Sequence, residues 1–397
     1  MIGAQSSIMS AMGNVFRSAL LLLIAIIVGV TAMEVILRVA GISYPLFTQA
    51  DEWTGFALRP GVEGWQTDEG TAYVKINDVG MRDRQHAKEK PAGTFRVAVL
   101  GDSFAEARQV EEDETFWKLM EGQLQTCAGE RKTIEVLNFG VSGFGTTQEF
   151  LQLHHRIWEY HPDLILLAFT TGNDVRNNSA ALEGKGEKPY FSVVNDMLQL
   201  DLSFRDSPGF RRQSGGFSVF KQWLYQRSRV MQLVRRVTAG MRGAGTAGGG
   251  APGKEEGLDE GIYTEPSTAE WADAWLVTEK ILMEMNKEAR EHGALFIVAT
   301  LSNGIQVHPD VSVRDAYAKR LEAFGLFYPE RRLGAIGARG GFPVFTLGPA
   351  LAEIASQKQM YLHGFSNTTM GEGHWNEDGH REASQLLSQL LCAGEYF

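Results

Sequence analysis

The sequence predicts an α/β protein with a parallel five-stranded sheet and helices on both faces. Five short runs are apolar at nearly every position: 95–100 (FRVAVL), 134–139 (IEVLNF), 163–169 (DLILLAF), 294–300 (ALFIVAT) and 342–347 (FPVFTL). Strands covered on both faces read this way. Amphipathic helical stretches separate the runs, the alternation that builds a parallel sheet. Turn-forming Gly, Ser, Asn and Asp collect directly after the first three runs, and in open α/β sheets ligands bind beyond the carboxyl ends of strands.

Taken in order, residues 1–15 are a tail and 16–39 an apolar helix. Every residue between Arg17 and Glu34 is uncharged, and 16–39 is long enough for a membrane span of roughly 20 residues if Glu34 lies near the interface. A cleaved signal peptide ending at Val30-Thr31-Ala32 is the competing reading. The uncleaved anchor is preferred, because the apolar pattern runs past that site. Arg17 flanks one side, while Glu34, Asp51 and Glu52 offset Arg38 on the other, so the positive-inside rule puts the body outside the cytoplasm.

Residues 40–93 read as a polar extension with strand-like pieces and a turn at Asn77-Asp78. Residues 94–397 form the main domain, with helices expected near 115–125 and 148–158. Alternation stops over 176–265, an insertion read as a candidate lid. Within it, 189–202 reads as a hairpin, 217–237 as a basic amphipathic helix and 240–253 as a Gly/Ala linker. That helix is expected to pack Trp223, Leu224 and Val230 on the domain, with docking to a membrane surface as the alternative. A capping-box pattern, Ser267-Thr268-Ala269-Glu270, opens the long helix that follows.

The 397 residues are 44% hydrophobic and 22% charged, with a net charge of -10. That balance argues against a nucleic-acid partner, which needs clustered Lys and Arg. The two cysteines, Cys127 and Cys392, have no zinc-type spacing, and no metal or cofactor is expected.

The chemistry-bearing residues sit at the ends of the runs. Gly101-Asp102-Ser103-Phe104 holds a serine beyond the first strand. A serine nucleophile needs a base, an acid that orients the base, and donors for the oxyanion. The N–H of Ser103, the N–H of Gly143 after the second strand and the amide of Asn173 after the third are the expected donors. His374, in Gly371-Glu372-Gly373-His374-Trp375-Asn376, is the expected base, with Glu372 as its acid. Each piece has a plainer reading taken singly: a turn, an Asx turn, a structural histidine. Their shared position at strand ends favours one site.

The combination resembles the SGNH hydrolase superfamily, the GDSL-type esterases, through Gly101-Asp102-Ser103-Phe104, Ser142-Gly143, Gly172-Asn173-Asp174 and His374-Trp375-Asn376 with Gly379-His380. The resemblance covers roughly 94–175 and 290–392 and implies a flavodoxin-like three-layer α/β/α fold. It implies Ser103 as nucleophile, His374 as base, and Ser103, Gly143 and Asn173 as the oxyanion hole. Asp102, Asn138, Asp174 and His380 are expected to support them. The family places an aspartate before the histidine where this chain has Glu372. Glu377 with His380 is the rival pairing, spaced like the family's Asp-x-x-His block. In such a sheet the first and last helices share a face, which puts Cys127 beside Cys392 as a disulfide, as an oxidising compartment allows.

The expected function is a membrane-anchored, extracytoplasmic serine esterase, with O-acyl or O-acetyl groups on carbohydrate as the leading substrate guess by family analogy. The alternatives are a polysaccharide O-acetyltransferase using the same site, a lipase or thioesterase with a lid, and a non-catalytic scaffold or carbohydrate-binding protein.

Overall fold

The computed structural model describes residues 2–130, 132–184, 186–241, 255, 257–394 and 396–397, without side chains for 2–13 and 239–241. In chain order the elements begin with the long helix α1 (Ile2–Val39) and two antiparallel hairpins, β1 (Thr48–Asp51) with β2 (Gly55–Leu58) and β3 (Glu63–Gln66) with β4 (Ala72–Lys75). Next come β5 (Thr94–Gly101), the one-turn helix α2 (Ser103–Glu106), α3 (Phe116–Ala128), β6 (Thr133–Asn138), α4 (Thr146–His155) and β7 (Leu164–Thr170). The expected insertion holds α5 (Asp174–Asn177), α6 (Ala180–Glu183), the hairpin β8 (Tyr190–Val194) with β9 (Met197–Asp201), α7 (Pro208–Ser214), α8 (Gly216–Arg227) and α9 (Arg229–Met241). The chain continues through α10 (Ala269–Glu291), β10 (Leu295–Leu301), α11 (Val311–Arg320), α12 (Tyr328–Gly340), β11 (Val344–Thr346), α13 (Leu347–Lys358) and α14 (Glu377–Ala393). Apart from Gly240 and Met241, the Gly/Ala linker lies outside the described residues.

Two compact units result: Met1–Leu46 with Phe220–Gly245, and Phe47–Val219 with Thr246–Phe397. The larger unit is built on one sheet in the order β11-β10-β7-β5-β6, with every pairing parallel. The five strands are the five apolar runs. Numbered within the sheet this order is 2-1-3-4-5, the doubly wound arrangement whose direction of winding reverses between β5 and β7. One face packs β5, β7 and β10 side chains with Leu153, Trp275, Ile281, Met285 and Ile336. The opposite face packs Trp117, Met120, Leu124, Leu351, Leu387 and Leu391. A disulfide joins Cys127 of α3 to Cys392 of α14, closing a sequence separation of 265 residues.

Local chemistry accounts for the details. Asn195 and Asp196 take positive φ of 50° and 67° in the β8–β9 turn, the conformation that two-residue hairpin loops demand of Asn and Asp. The cap of α10 falls on Thr268, whose hydroxyl accepts from the Trp271 N–H, and not on Ser267 of the capping-box pattern.

In the smaller unit, α1 carries the stretch Asn14–Val39, within which an 18-residue window has mean hydropathy 2.8 and is 6% buried. That is the length and composition of a membrane anchor or a signal sequence. The helix expected over 217–237 is broken at Ser228 into α8 and α9. Trp223 and Leu224, expected to pack inward, are exposed.

Candidate active site

Ser103 is the first residue of α2, reached directly from β5. Its turn is held by Asp102, fully buried, whose Oδ1 accepts from the Phe104 N–H at 2.9 Å and from the Thr170 hydroxyl at 3.0 Å. Asp102 Oδ2 accepts from the Asn173 amide at 3.0 Å. One carboxylate thus ties the end of β5 to the end of β7 at the point where the winding reverses. Burial pushes the Asp102 carboxyl up, against the pull of the Asn173 and Phe104 hydrogen bonds.

His374 arrives from the far end of the chain. Its Nε2 lies 2.7 Å from the Ser103 Oγ. Its Nδ1 lies 2.5 Å from Glu69 Oε2, and its backbone N–H donates to Glu69 Oε1 at 2.7 Å. A carboxylate only accepts, so Nδ1 carries the proton and Nε2 is free to accept from the serine hydroxyl. Burial alone would lower the His374 pKa, but the charge and hydrogen bond of Glu69 override it and hold the imidazole above its ordinary value. Burial likewise tends to raise Glu69, and the charge of His374 brings it below the usual carboxylate range.

The carboxylate on His374 is therefore Glu69, in the turn between β3 and β4, and not the expected Glu372. Among the described residues Glu372 makes no hydrogen bond to His374, and its own N–H donates to the Thr369 carbonyl. The geometry gives the reason. Gly373 takes a positive φ of 80°, and a Cβ on it would stand 2.0 Å from Glu69 Oε1. The bare backbone of Gly373 opens the slot through which Glu69 enters. Glu255 closes this corner by accepting from the Gly373 N–H, and burial pushes its carboxyl up.

The histidine loop is pinned from behind. The Trp375 indole donates to Ser302 Oγ at 3.0 Å, Ser302 lies 3.2 Å from His363 Nε2, and His363 Nδ1 lies 2.7 Å from the Gly373 carbonyl. That carbonyl requires Nδ1–H on His363, so Ser302 donates to Nε2. Burial pushes the His363 pKa down to about 4, which keeps this relay neutral. The Gly364 N–H donates to the His374 carbonyl at 3.1 Å.

The expected donors stand at neighbouring strand ends, because β5 pairs with both β6 and β7. Ser103 opens a helix, where backbone N–H groups have no intrahelical partner. Gly143 is exposed, with φ of 85°. Asn173 gives one amide hydrogen to Asp102 and keeps a second.

Support comes partly from the extension. Arg82, fully buried, donates to the carbonyls of Glu106, Ala107 and Val110, fixing the turn behind Ser103. Glu106 accepts from the Ser142 N–H at 2.6 Å, next to Gly143. Asn138 accepts from the Gly140 N–H at 2.9 Å and donates to the Arg82 carbonyl at 3.1 Å. Asp174 accepts from the Thr170 N–H at 2.7 Å. His380 sits away from Ser103, accepting from the Phe116 N–H at 3.2 Å, and burial pushes its pKa down to about 3. Glu377 is exposed while His380 is buried, and no hydrogen bond or ion pair joins them among the described residues, so the rival Glu377–His380 pairing is not seen.

Sequence reasoning missed Glu69, Arg82 and Glu255. The faint signal for Glu69 was its place in a Thr67-Asp68-Glu69-Gly70 turn between two short strands.

No family model and no curated protein matches the chain. Among solved structures it is similar to a catalytic mutant of an acetylxylan esterase from Geobacillus stearothermophilus (12% identity, 76% of this chain and 95% of that chain, TM-score 0.38). It is also similar to an acetyl xylan esterase, AlAXEase (10%, 75% and 100%, 0.37). A third is LAE5, an α/β hydrolase from the metagenome of Lake Arreo, Spain (12%, 76% and 96%, 0.37). Likenesses this distant bear on neither activity nor substrate. The sheet and the site, on their own terms, define a doubly wound α/β protein with a hydroxyl–imidazole–carboxylate chain at its switch point.

Proposed function

We propose that the protein is a serine esterase of the SGNH type, cleaving O-acyl esters through Ser103, His374 and Glu69. The observation that carries this reading is the unbroken chain from Ser103 Oγ to His374 Nε2 at 2.7 Å and from Nδ1 to Glu69 at 2.5 Å. Ser103 Oγ attacks the ester carbonyl as its proton passes to His374 Nε2. Glu69 holds the Nδ1–H and offsets the charge of the imidazolium that forms. The oxyanion takes hydrogen bonds from the N–H of Ser103, the N–H of Gly143 and the second amide hydrogen of Asn173; losing one such donor costs about 3–4 kcal/mol of transition-state stabilisation. The alcohol leaves with the proton from His374. Water then repeats the sequence on the acyl-enzyme, returning the hydroxyl to Ser103.

The finer reading is an enzyme held by α1 in a membrane, with its body outside the cytoplasm and acylated carbohydrate as substrate. The Cys127–Cys392 disulfide fits an oxidising compartment. The non-catalytic alternative rested on Glu372 standing where the family has aspartate, and Glu69 on the imidazole removes that ground.

A fluorophosphonate probe tests the core of the proposal. Wild type is labelled on Ser103, as read by peptide mass spectrometry, while Ser103→Ala is not labelled and loses p-nitrophenyl acetate turnover by at least about a thousandfold. Wild type that stays unlabelled while turning over ester, or is labelled at another residue, contradicts it.

A further inference from the structure

Between Asp206 and Glu255 the chain carries nine Lys or Arg and no Asp or Glu, although the whole has a net charge of -10. Most of that stretch forms α8 and α9. On α8, Phe220, Trp223, Leu224 and Arg227 follow one another at helical spacing on one face. The three apolar ones remain 59%, 48% and 38% exposed, and Arg227 stacks over the Trp223 ring at 4.4 Å. On α9, Val234 and Val237 are exposed beside Arg235. A water-soluble helix does not leave such a face bare without a partner.

The place of this face is set by α1. Glu34 accepts from the Ser228 hydroxyl at 3.1 Å and from the N–H groups of Arg229 and Val230 at 3.0 and 3.1 Å, so it caps α9 from the side of α1. Arg38 pairs with Glu34 at 2.7 Å and donates to the Arg227 carbonyl at 2.5 Å. Further on, Gln232 accepts from the Tyr44 N–H at 2.9 Å and Gln226 donates to the Leu46 carbonyl at 2.8 Å. The α8–α9 corner is thus fastened to the last turns of α1. Glu34 lies 18 residues beyond Phe16, where the apolar helix read from the sequence begins. Eighteen residues at a helical rise of 1.5 Å span about 27 Å, close to the roughly 30 Å thickness of a bilayer's hydrocarbon core. A corner tied to Glu34 therefore stands at headgroup depth, with Leu224, Trp223 and Phe220 one to two turns away.

We propose that α8 and α9 form an interfacial platform: the apolar face of α8 enters the acyl–headgroup boundary of the bilayer that α1 crosses, and the flanking Lys and Arg side chains meet anionic lipid phosphates. This rests on α1 crossing the membrane, as in the reading above. Aromatic and aliphatic residues on one face with cations beside them are the composition of interfacial helices, and long cationic side chains place their stems in the apolar layer and their heads at phosphate. The platform holds the chain's emergence from the membrane at a fixed angle instead of leaving it on a swivel.

The test uses the full chain in phosphatidylcholine vesicles with roughly 30 mol% phosphatidylglycerol, which supplies the anionic lipid phosphates the proposal invokes. Single cysteines at Phe220→Cys, Trp223→Cys, Leu224→Cys, the opposite-face control Gln222→Cys and the α1 control Leu22→Cys carry a nitroxide; Cys127 and Cys392 are already bonded to each other. The readout is collision with oxygen against collision with a water-soluble nickel chelate, and circular dichroism melts check that each variant is folded. The expected result is that labels at 220, 223 and 224 favour oxygen by about threefold or more over the label at 222, as the label at 22 does more strongly. Labels at 220, 223 and 224 as aqueous as the one at 222, with 22 in lipid, overturn the platform and leave the anchor intact; a protein partner as the true occupant gives this same pattern in pure lipid. An aqueous label at 22 overturns the anchor and the platform together.

Discussion

Glu69 gives both of its oxygens to one residue, the backbone N–H and the Nδ1 of His374, so its loss affects both the position and the charge of the imidazole. Because Glu69 holds the His374 pKa up, the neutral base disappears as the pH falls, and it does so above the ordinary histidine value of about 6.5. The acid limb of kcat/KM is expected to have its midpoint above that value, and in Glu69→Gln to move to lower pH. A wild-type limb below 6, or one that Glu69→Gln leaves in place, contradicts the assignment. Gly373 offers a second check, since a Cβ there collides with Glu69. Gly373→Ala is expected to reduce kcat by about a hundredfold or more with little change in KM, as a misplaced catalytic group does. The meeting of Ser103 with His374 was legible because each stands in a compact local pattern at a strand or helix end. The carboxylate that meets the imidazole was not, because Glu372 and Glu69 are the same residue type, and the choice between them depends on a glycine dihedral that sequence does not display.

At the scale of elements, the five strands were legible because burial on both faces leaves almost no polar residue in them. The short hairpins β1–β2 and β3–β4 were not, since four-residue strands in a polar stretch carry little periodicity. Nor was the interior of the α4–α5 corner. Glu149 of α4 is fully buried with neither carboxylate oxygen hydrogen-bonded among the described residues, close to Asp174 of α5. Burial pushes Glu149 well above the ordinary carboxylate range, as do burial and the Glu149 charge for Asp174. A folded-state pKa above the unfolded one means that the native protein binds the extra proton, so stability is full at low pH and falls as pH rises through the folded value. Glu149→Gln removes that dependence. The difference in thermal midpoint between Glu149→Gln and wild type is expected to move in favour of the variant from pH 5 to pH 8; a constant difference would show that Glu149 does not titrate in this window.

At the scale of the whole molecule, the extension over 47–93 belongs to the same compact unit as the sheet. It brings Glu69 to a histidine 305 positions away and Arg82 to the carbonyls behind Ser103. The opposite end of the core is closed by the Cys127–Cys392 disulfide. In the chain-entropy model a loop of this length stabilises by about 4–5 kcal/mol, often less in practice. The double Cys→Ser variant is therefore expected to unfold at clearly lower denaturant and with a steeper slope, because the unlinked unfolded chain exposes more surface; an unchanged midpoint would mean the bridge constrains nothing. The central claim, a nucleophile, a base and an acid assembled from three distant stretches, is tested most directly by turnover of Glu69→Gln beside Glu372→Gln. The account predicts a loss of about a thousandfold or more in kcat for Glu69→Gln and a change of no more than about twofold for Glu372→Gln, which touches nothing the chemistry uses. The reverse order would contradict it.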